Sequence, residues 1–173
     1  MAYIITNGVA GMQPIATADT VRNHPIGTIV RAADPTLGEG EFIYLKGGAS
    51  VVAGLVCYYT DNAAADSVKL TTTSGVVDGG SNLCVAMATT TALLYGWFQI
   101  GGRATVLKTA TKIDPASSFK VYLSATAGRV MPTSVAGRQI LGARFPATTT
   151  VTTTTSTCVV TLNRPTQKTG TLV

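Results

Sequence analysis

The sequence predicts an all-β fold of the jelly-roll, β-sandwich or small-barrel type, and three observations support this prediction. β-Branched and aromatic residues recur in short runs that Gly, Asp, Asn or Pro bound. No long window places apolar residues at i, i+3, i+4 and i+7 between helix caps. The 173 residues include 18 Gly and 7 Pro, which suits many turns between short strands. A chain of this length is expected to form one domain with a substantial core.

The predicted strands follow one another at short intervals after the first 26 residues. They are 27–32, 41–46, 51–60, 67–72, 83–88, 95–100, 103–109, 119–124, 129–132, 139–145 and 157–163. β-Branched or aromatic residues occupy much of these runs, and such residues favour the extended backbone. Gly101 and Gly102 separate two of the strands and predict a hairpin or a sharp bend.

Strand 119–124 shows the clearest alternation. Phe119, Val121 and Leu123 are predicted to share an apolar face, while the residues between them face water. The strand leads through a short Gly-containing connection to strand 129–132, which predicts a β-hairpin.

The two ends of the chain and one internal segment lack this pattern. Residues 1–26 and 165–173 are predicted to be terminal arms on either side of a single β domain at 27–164. Thr dominates 148–157, and a run with Thr on both faces buries little apolar surface. We therefore expect an exposed extended loop or a projecting hairpin in that segment.

The cysteines and the hydropathy pattern indicate whether the protein has disulfides, enters a membrane or is exported. Cys57, Cys84 and Cys158 are widely spaced and odd in number, so we interpret them as small core residues rather than as a disulfide framework or metal ligands. No apolar run approaches the roughly 20 residues of a membrane helix, and no basic region followed by an apolar stretch occurs at the N-terminus. We expect neither an integral membrane protein nor export by the ordinary signal.

Charge is scarce and unevenly distributed. Charged residues make up 12% of the chain, and the net charge is +5. All eight acidic residues lie at or before Asp114, whereas only cations follow it. This asymmetry predicts that the C-terminal third docks on an anionic surface, either nucleic acid or an acidic protein face. The alternative is that scattered cations keep a neutral surface soluble. The cations after Asp114 are Lys120, Arg129, Arg138, Arg144, Arg164 and Lys168.

A search for catalytic and metal-binding patterns gives no candidate. His24 is the single histidine and precedes Pro25, where a turn or surface role is expected rather than catalysis. Cys-x-x-Cys, His-Glu-x-x-His and calcium-loop patterns are absent, and the Gly-rich stretches lack the Gly-Lys-Ser/Thr that binds phosphate. We predict no enzyme, no cofactor and no metal site.

One aromatic group stands out. Tyr95, Trp97 and Phe98 lie close together, with no neighbouring cation until Arg103. A stacking platform for single-stranded nucleic acid interleaves aromatic residues with cations. We therefore interpret this group as a core or interface anchor.

Three Gly-spaced segments carry a resemblance to a known family. They are 27–47 (GTIVRAADPTLGEGEFIYLKG), 85–88 (VAMA) leading to 95–104 (YGWFQIGGRA), and 159–165 (VVTLNRP). These segments resemble the head decoration (cement) proteins of tailed bacteriophages. The resemblance implies a β-rich domain, often jelly-roll or barrel-like, that forms a homodimer or homotrimer on the outside of the major capsid shell.

On this resemblance we expect a virion protein on the capsid exterior, assembled in the host cytoplasm. Its expected partners are the major capsid protein and further copies of itself, with no specific nucleic acid and no membrane. It would stabilise the head against the pressure of packaged DNA through many individually modest contacts. The expected capsid or subunit contacts are Arg129, Arg138, Arg144, Arg164, Tyr95 and Trp97.

Two other functions remain open from the sequence. A tail-fibre or receptor-binding β module would use exposed aromatic side chains at 95–98 as a carbohydrate site. An oligonucleotide-binding barrel would bind single strands with steeply salt-dependent affinity. A hydrolase ranks last, because no general base can be named.

Overall fold

Antiparallel β-strands make up the regular structure of the protein. The computed structural model describes residues 11–59, 82–114, 119–147 and 151–167, together with the backbone of 4–5 and 69–70. The described part of the chain contains no helix, so the predicted all-β class is confirmed. The strands are β1 (Ile4–Ile5), β2 (Ala18–Asp19), β3 (Ile29–Asp34), β4 (Gly38–Lys46), β5 (Val56–Tyr59), β6 (Lys69–Leu70), β7 (Asn82–Ala86), β8 (Tyr95–Leu107), β9 (Lys120–Leu123), β10 (Val130–Met131), β11 (Gln139–Arg144) and β12 (Thr157–Gln167).

All of these strands belong to one sheet, with the order β1-β3-β4-β8-β7-β12-β11-β9-β10. β2 pairs with β8, and β5 pairs with β6 and β7. β8 is the longest strand, with 13 residues, and it pairs with β4 along its first half and with β12 along its second. The sheet is not closed into a barrel, so of the predicted architectures the sandwich or jelly-roll type fits.

Three apolar clusters pack against the sheet. The first contains residues of β9 to β12 and of the second half of β8. The second contains residues of β4 and of the first half of β8. Neighbouring residues of β7 point into different clusters, with Val85 in the first and Cys84 in the second. This part of the sheet is therefore buried on both faces. The third cluster contains Tyr44 and Trp97 and lies on the other side of β4.

The N-terminal residues pack on the domain and so correct the prediction of an arm for residues 11–26. Ile15 is buried in the third cluster. Trp97 Nε1 donates a hydrogen bond to the backbone oxygen of Gln13 at 2.9 Å, and Tyr44 Oη donates to Gln13 Oε1 at 3.1 Å. β2 adds to the edge of β8. Without this segment, the rings of Tyr44 and Trp97 would lie on an open sheet face.

The C-terminal strand is longer than predicted. β12 continues to Gln167, and Thr166 pairs in register with Leu141 of β11 and Asn82 of β7. The predicted arm at 165–173 is therefore corrected for 165–167, because those backbone groups belong to the sheet. The rest of that predicted arm lies outside the described residues.

The Thr-rich segment agrees with the exposed connection expected for it, as far as the structure describes it. Val151 exchanges two backbone hydrogen bonds with Ile113, each of 2.9 Å. The side chains of 152–157 are exposed. Residues 148–150 lie outside the described part of the chain.

Gly101 and Gly102 bend β8 without ending it, so the bend is the correct one of the two predicted alternatives. The register against β4 shifts at this point. Gly102 has a φ of 84°, and a Cβ there would overlap the backbone oxygen of Glu39, so a side chain is excluded on both grounds. Because of the bend, the first half of β8 contributes residues to the second cluster and the second half contributes residues to the first.

Candidate docking face

The aromatic group at 95–98 forms part of the core. Trp97 and Phe98 have no exposed surface, and the ring of Trp97 lies 5.0 Å from that of Tyr44, centroid to centroid. Tyr95 is half-buried and stacks on Tyr44 at 6.5 Å. Of the two interpretations, core or interface anchor, the structure places Trp97 in the core. Its side chain is not presented to a partner, which corrects its assignment as a contact residue.

Arg129 has a structural contact. Its Nη1 donates a hydrogen bond of 2.9 Å to the backbone oxygen of Lys108, which ties the β9–β10 hairpin to the residue after β8. The Lys108 side chain is itself fully buried, and its Nζ donates to the backbone oxygens of Thr109 and Thr111 at 3.1 and 2.9 Å. Arg129 thus helps to hold a buried cation and its loop in place.

Arg138 and Arg164 lie apart from each other. Arg138 is half-buried in the turn before β11, and its backbone oxygen accepts a hydrogen bond from Leu123. Arg164 is exposed, and its Nε lies 3.5 Å from Glu41 Oε2, while Arg31 Nη2 lies 3.3 Å from Glu41 Oε1. Exposed pairs of this kind contribute about 0 to 1 kcal/mol each. The charge of Arg164 is therefore offset only in part, because one carboxylate faces two guanidinium groups.

Arg144 belongs to a row of side chains that crosses adjacent strands. Arg103 of β8 pairs in register with Thr161 of β12, Thr161 with Arg144 of β11, and Arg144 with Lys120 of β9. Directly opposed residues of antiparallel strands project from the same face of a sheet. The three cations are exposed and Thr161 is half-buried. We call these four residues the cationic row.

The cationic row gathers positive charge from neighbouring strands. Arg144 and Lys120 are like charges in directly opposed positions. Within the part of the chain that the structure describes, neither Arg103 nor Arg144 forms a salt bridge with an acid. An exposed face that gathers cations from several strands is typical of a surface that binds an anionic partner.

A groove of about 480 Å³ opens beside the row. Buried Phe145 contributes to its lining, and Phe119, which is half exposed, lies at the same groove. Phe119 is held there because its backbone oxygen accepts a hydrogen bond of 2.9 Å from the Phe145 amide. We call this the row groove. It is lined by Arg103, Phe119, Arg144, Phe145, Pro146, Ala147 and Thr161.

The backbone under the row is firmly held. Gln99 is fully buried, and its Nε2 donates to the backbone oxygens of Gly101 and Arg103 at 2.9 and 3.0 Å. The inward-facing neighbours of the row, Ala104 and Leu162, are packed in the first apolar cluster. The row therefore presents its charges from a preorganised sheet, which reduces the entropy lost on binding.

Sequence reasoning found Arg144 but missed Arg103, Phe119 and Thr161. Arg103 falls before Asp114 and so was not grouped with the acid-free C-terminal third. Phe119 was assigned to the apolar face of its strand, but β9 begins at Lys120 and leaves the Phe119 ring half exposed. A usable signal was the alternation in 103–106, which points Arg103 away from buried Ala104 and Val106.

Metal groups, membrane helices and comparisons with known proteins give little further information about function. The described residues contain no group of three His, Cys, Asp or Glu side chains suited to a metal ion. They also contain no helix with the length and hydropathy that a membrane crossing requires. No family model matches the chain, and neither a curated protein nor a solved structure matches it.

Proposed function

We propose that the protein is a phage head decoration protein that docks on the outer surface of the major capsid shell through the face bearing the cationic row. The proposal joins the sequence resemblance at 27–47, 85–88, 95–104 and 159–165 to the exposed charge of Arg103 and Arg144, which form no salt bridge among the described residues. The row carries the proposal, because exposed cations on neighbouring strands favour an encounter with an acidic partner. Many copies, each binding modestly, then reinforce the shell together.

The alternative of a carbohydrate-binding tail module has less support. Such a module needs exposed aromatic rings, and Trp97 and Phe98 have none of their surface exposed. Half-buried Tyr95 stacks on Tyr44 within the protein. The aromatic group at 95–98 therefore serves packing.

Charge reversal within the row tests the docking face. We expect Arg103→Glu/Arg144→Glu to associate with purified, undecorated heads much more slowly than the wild type, because the row steers the encounter with an acidic surface. Raising salt from low to physiological concentration, where the Debye length is about 8 Å, should slow the wild type and affect the variant less. Stopped-flow light scattering or surface plasmon resonance measures both rates.

Arg22→Glu is the matched control, since Arg22 is an exposed arginine of the N-terminal segment and lies outside the row. It changes the net charge per site by the same amount, so Arg103→Glu alone and Arg144→Glu alone are its matched comparisons. An equal slowing by Arg22→Glu and by either single row variant would show that only net charge matters, and unchanged binding by the double variant would remove the row from the docking face.

A further inference from the structure

The row groove combines two kinds of surface in one place. Arg103 and Arg144 provide guanidinium groups, while Phe119 provides an apolar ring of which half is exposed. No acid is among the described residues that line the groove. Guanidinium groups bind carboxylates through paired, charge-assisted hydrogen bonds, and an aromatic ring beside them offers an apolar contact. The groove thus suits a ligand that carries both carboxylates and an apolar side chain.

We propose that the row groove binds a short, extended acidic segment of a partner protein. One carboxylate of the segment pairs with Arg103, a second pairs with Arg144, and an apolar side chain farther along packs on Phe119. The proposal relies on the proposed function only for the identity of the protein that carries the segment, which would be the shell.

The spacing of the row fits an extended chain. Arg103 and Arg144 both neighbour Thr161 in register, so they are two strands apart, or about 10 Å. Side chains at i and i+2 of an extended segment lie on one side and about 7 Å apart. The arginine side chains are long enough to make up the difference between these two spacings. A residue at i+4 then lies beyond Arg144 toward β9, where Lys120 pairs with Arg144 and Phe119 precedes Lys120.

The surroundings of the row favour a peptide over a nucleic acid. Glu39 and Glu41 line a separate groove together with Arg31 and with Gly102, the residue next to Arg103. A polyphosphate chain that continued past Arg103 would therefore meet carboxylates, whereas nucleic-acid sites are extended basic tracks. The mixed charge beside Arg103 therefore suits a short anionic segment better than a long polyanion.

The test uses the full chain and a capped synthetic peptide, Asp-Gly-Asp-Gly-Phe, which places both carboxylates and the ring on one side when extended. Binding is followed by amide chemical shifts during titration. We expect saturable shifts at Arg103, Phe119, Arg144 and Thr161 in the wild type, and roughly tenfold weaker binding for Arg144→Gln and for Phe119→Ala. The peptide Asn-Gly-Asn-Gly-Phe should bind at least tenfold more weakly than the acidic one.

Three results would overturn the proposal: equal binding of the acidic and amide peptides, no shifts at the row groove, or tighter binding of a single-stranded oligonucleotide of the same length at the same residues. Arg22→Gln, a change outside the groove, should leave the peptide affinity unaltered. The peptide titration contains no head particles, so a failure to bind the peptide would not contradict shell decoration. Conversely, a wild type that binds the peptide but not the heads would contradict shell decoration and leave the peptide site in place.

Discussion

Replacing Trp97 with Ala is expected to lower the free energy of unfolding by about 3 to 5 kcal/mol, which is the usual range for deleting a large buried aromatic side chain. The Trp97 side chain has no exposed surface and lies against the rings of Tyr44 and His24, with centroid distances of 5.0 and 5.3 Å. It also binds the N-terminal segment through the Gln13 oxygen. Urea unfolding followed by far-ultraviolet circular dichroism measures the change.

Trp97→Phe separates packing from hydrogen bonding at this position. The variant keeps most of the ring but leaves the Gln13 oxygen without its 2.9 Å donor, so we expect a loss of about 1 to 3 kcal/mol. Leu93→Ala is the surface control, because Leu93 is 75% exposed, and it should change stability by about 0.5 kcal/mol or less. If Trp97→Ala were no more destabilising than Leu93→Ala, the third cluster would not be a core of the folded chain.

Alkaline pH is expected to destabilise the protein strongly through its buried thiols. Burial raises the pKa of Cys57 and of Cys158 from 9.0 to about 12, although the Lys108 ammonium opposes the shift at Cys158. Burial, reinforced by neighbouring Cys57, also raises the pKa of Cys84. These shifts agree with the prediction that the cysteines are core residues, and all three are free and buried.

The sign of the effect follows from which state holds the proton. Below pH 9 the thiols are protonated in both states and the stability is fully present. Between pH 9 and 12 they ionise in the unfolded chain but stay protonated in the fold, so the free energy of unfolding falls. One pKa unit is worth about 1.4 kcal/mol, so Cys57 and Cys158 each account for a loss of roughly 4 kcal/mol by pH 12. The total free energy of unfolding of a typical domain is about 5 to 15 kcal/mol, so this loss is a large part of it.

Denaturant titrations at several pH values test this expectation. Cys57→Ala/Cys158→Ala should start from a lower stability at neutral pH, because it leaves small cavities, but lose less between pH 9 and 12 than the wild type does. Ultraviolet thiolate absorbance gives an independent readout. Thiolate formation near pH 9 in a chain that is still folded would contradict the burial of these residues.

Local pattern predicted much of this fold. Cys158, Val160 and Leu162 were expected to share one face of their strand, and all three are buried. The glycine pair at 101 and 102 was recognised as a bend or a hairpin for the reason that the structure shows. Such features depend on period-two alternation and on backbone conformations that glycine tolerates, which neighbouring residues determine.

Long-range features were not predictable in the same way. Nothing in the sequence near Gln13 indicates that its backbone oxygen accepts a hydrogen bond from Trp97. The sequence therefore predicted a terminal arm for this segment. The cationic row likewise depends on the register between β8, β12 and β11, which joins Arg103 to Arg144 through Thr161. A count of charges along the sequence divides these residues at Asp114, whereas the sheet brings them together.

The copy number of the protein in purified head particles tests the central claim most directly. Quantitative mass spectrometry of purified virions gives the molar ratio of this chain to the major capsid protein. We expect a ratio of the same order as the number of shell subunits, with the chain lost from particles made with Arg103→Glu/Arg144→Glu. A few copies per particle, or none, would contradict a role as a decoration protein.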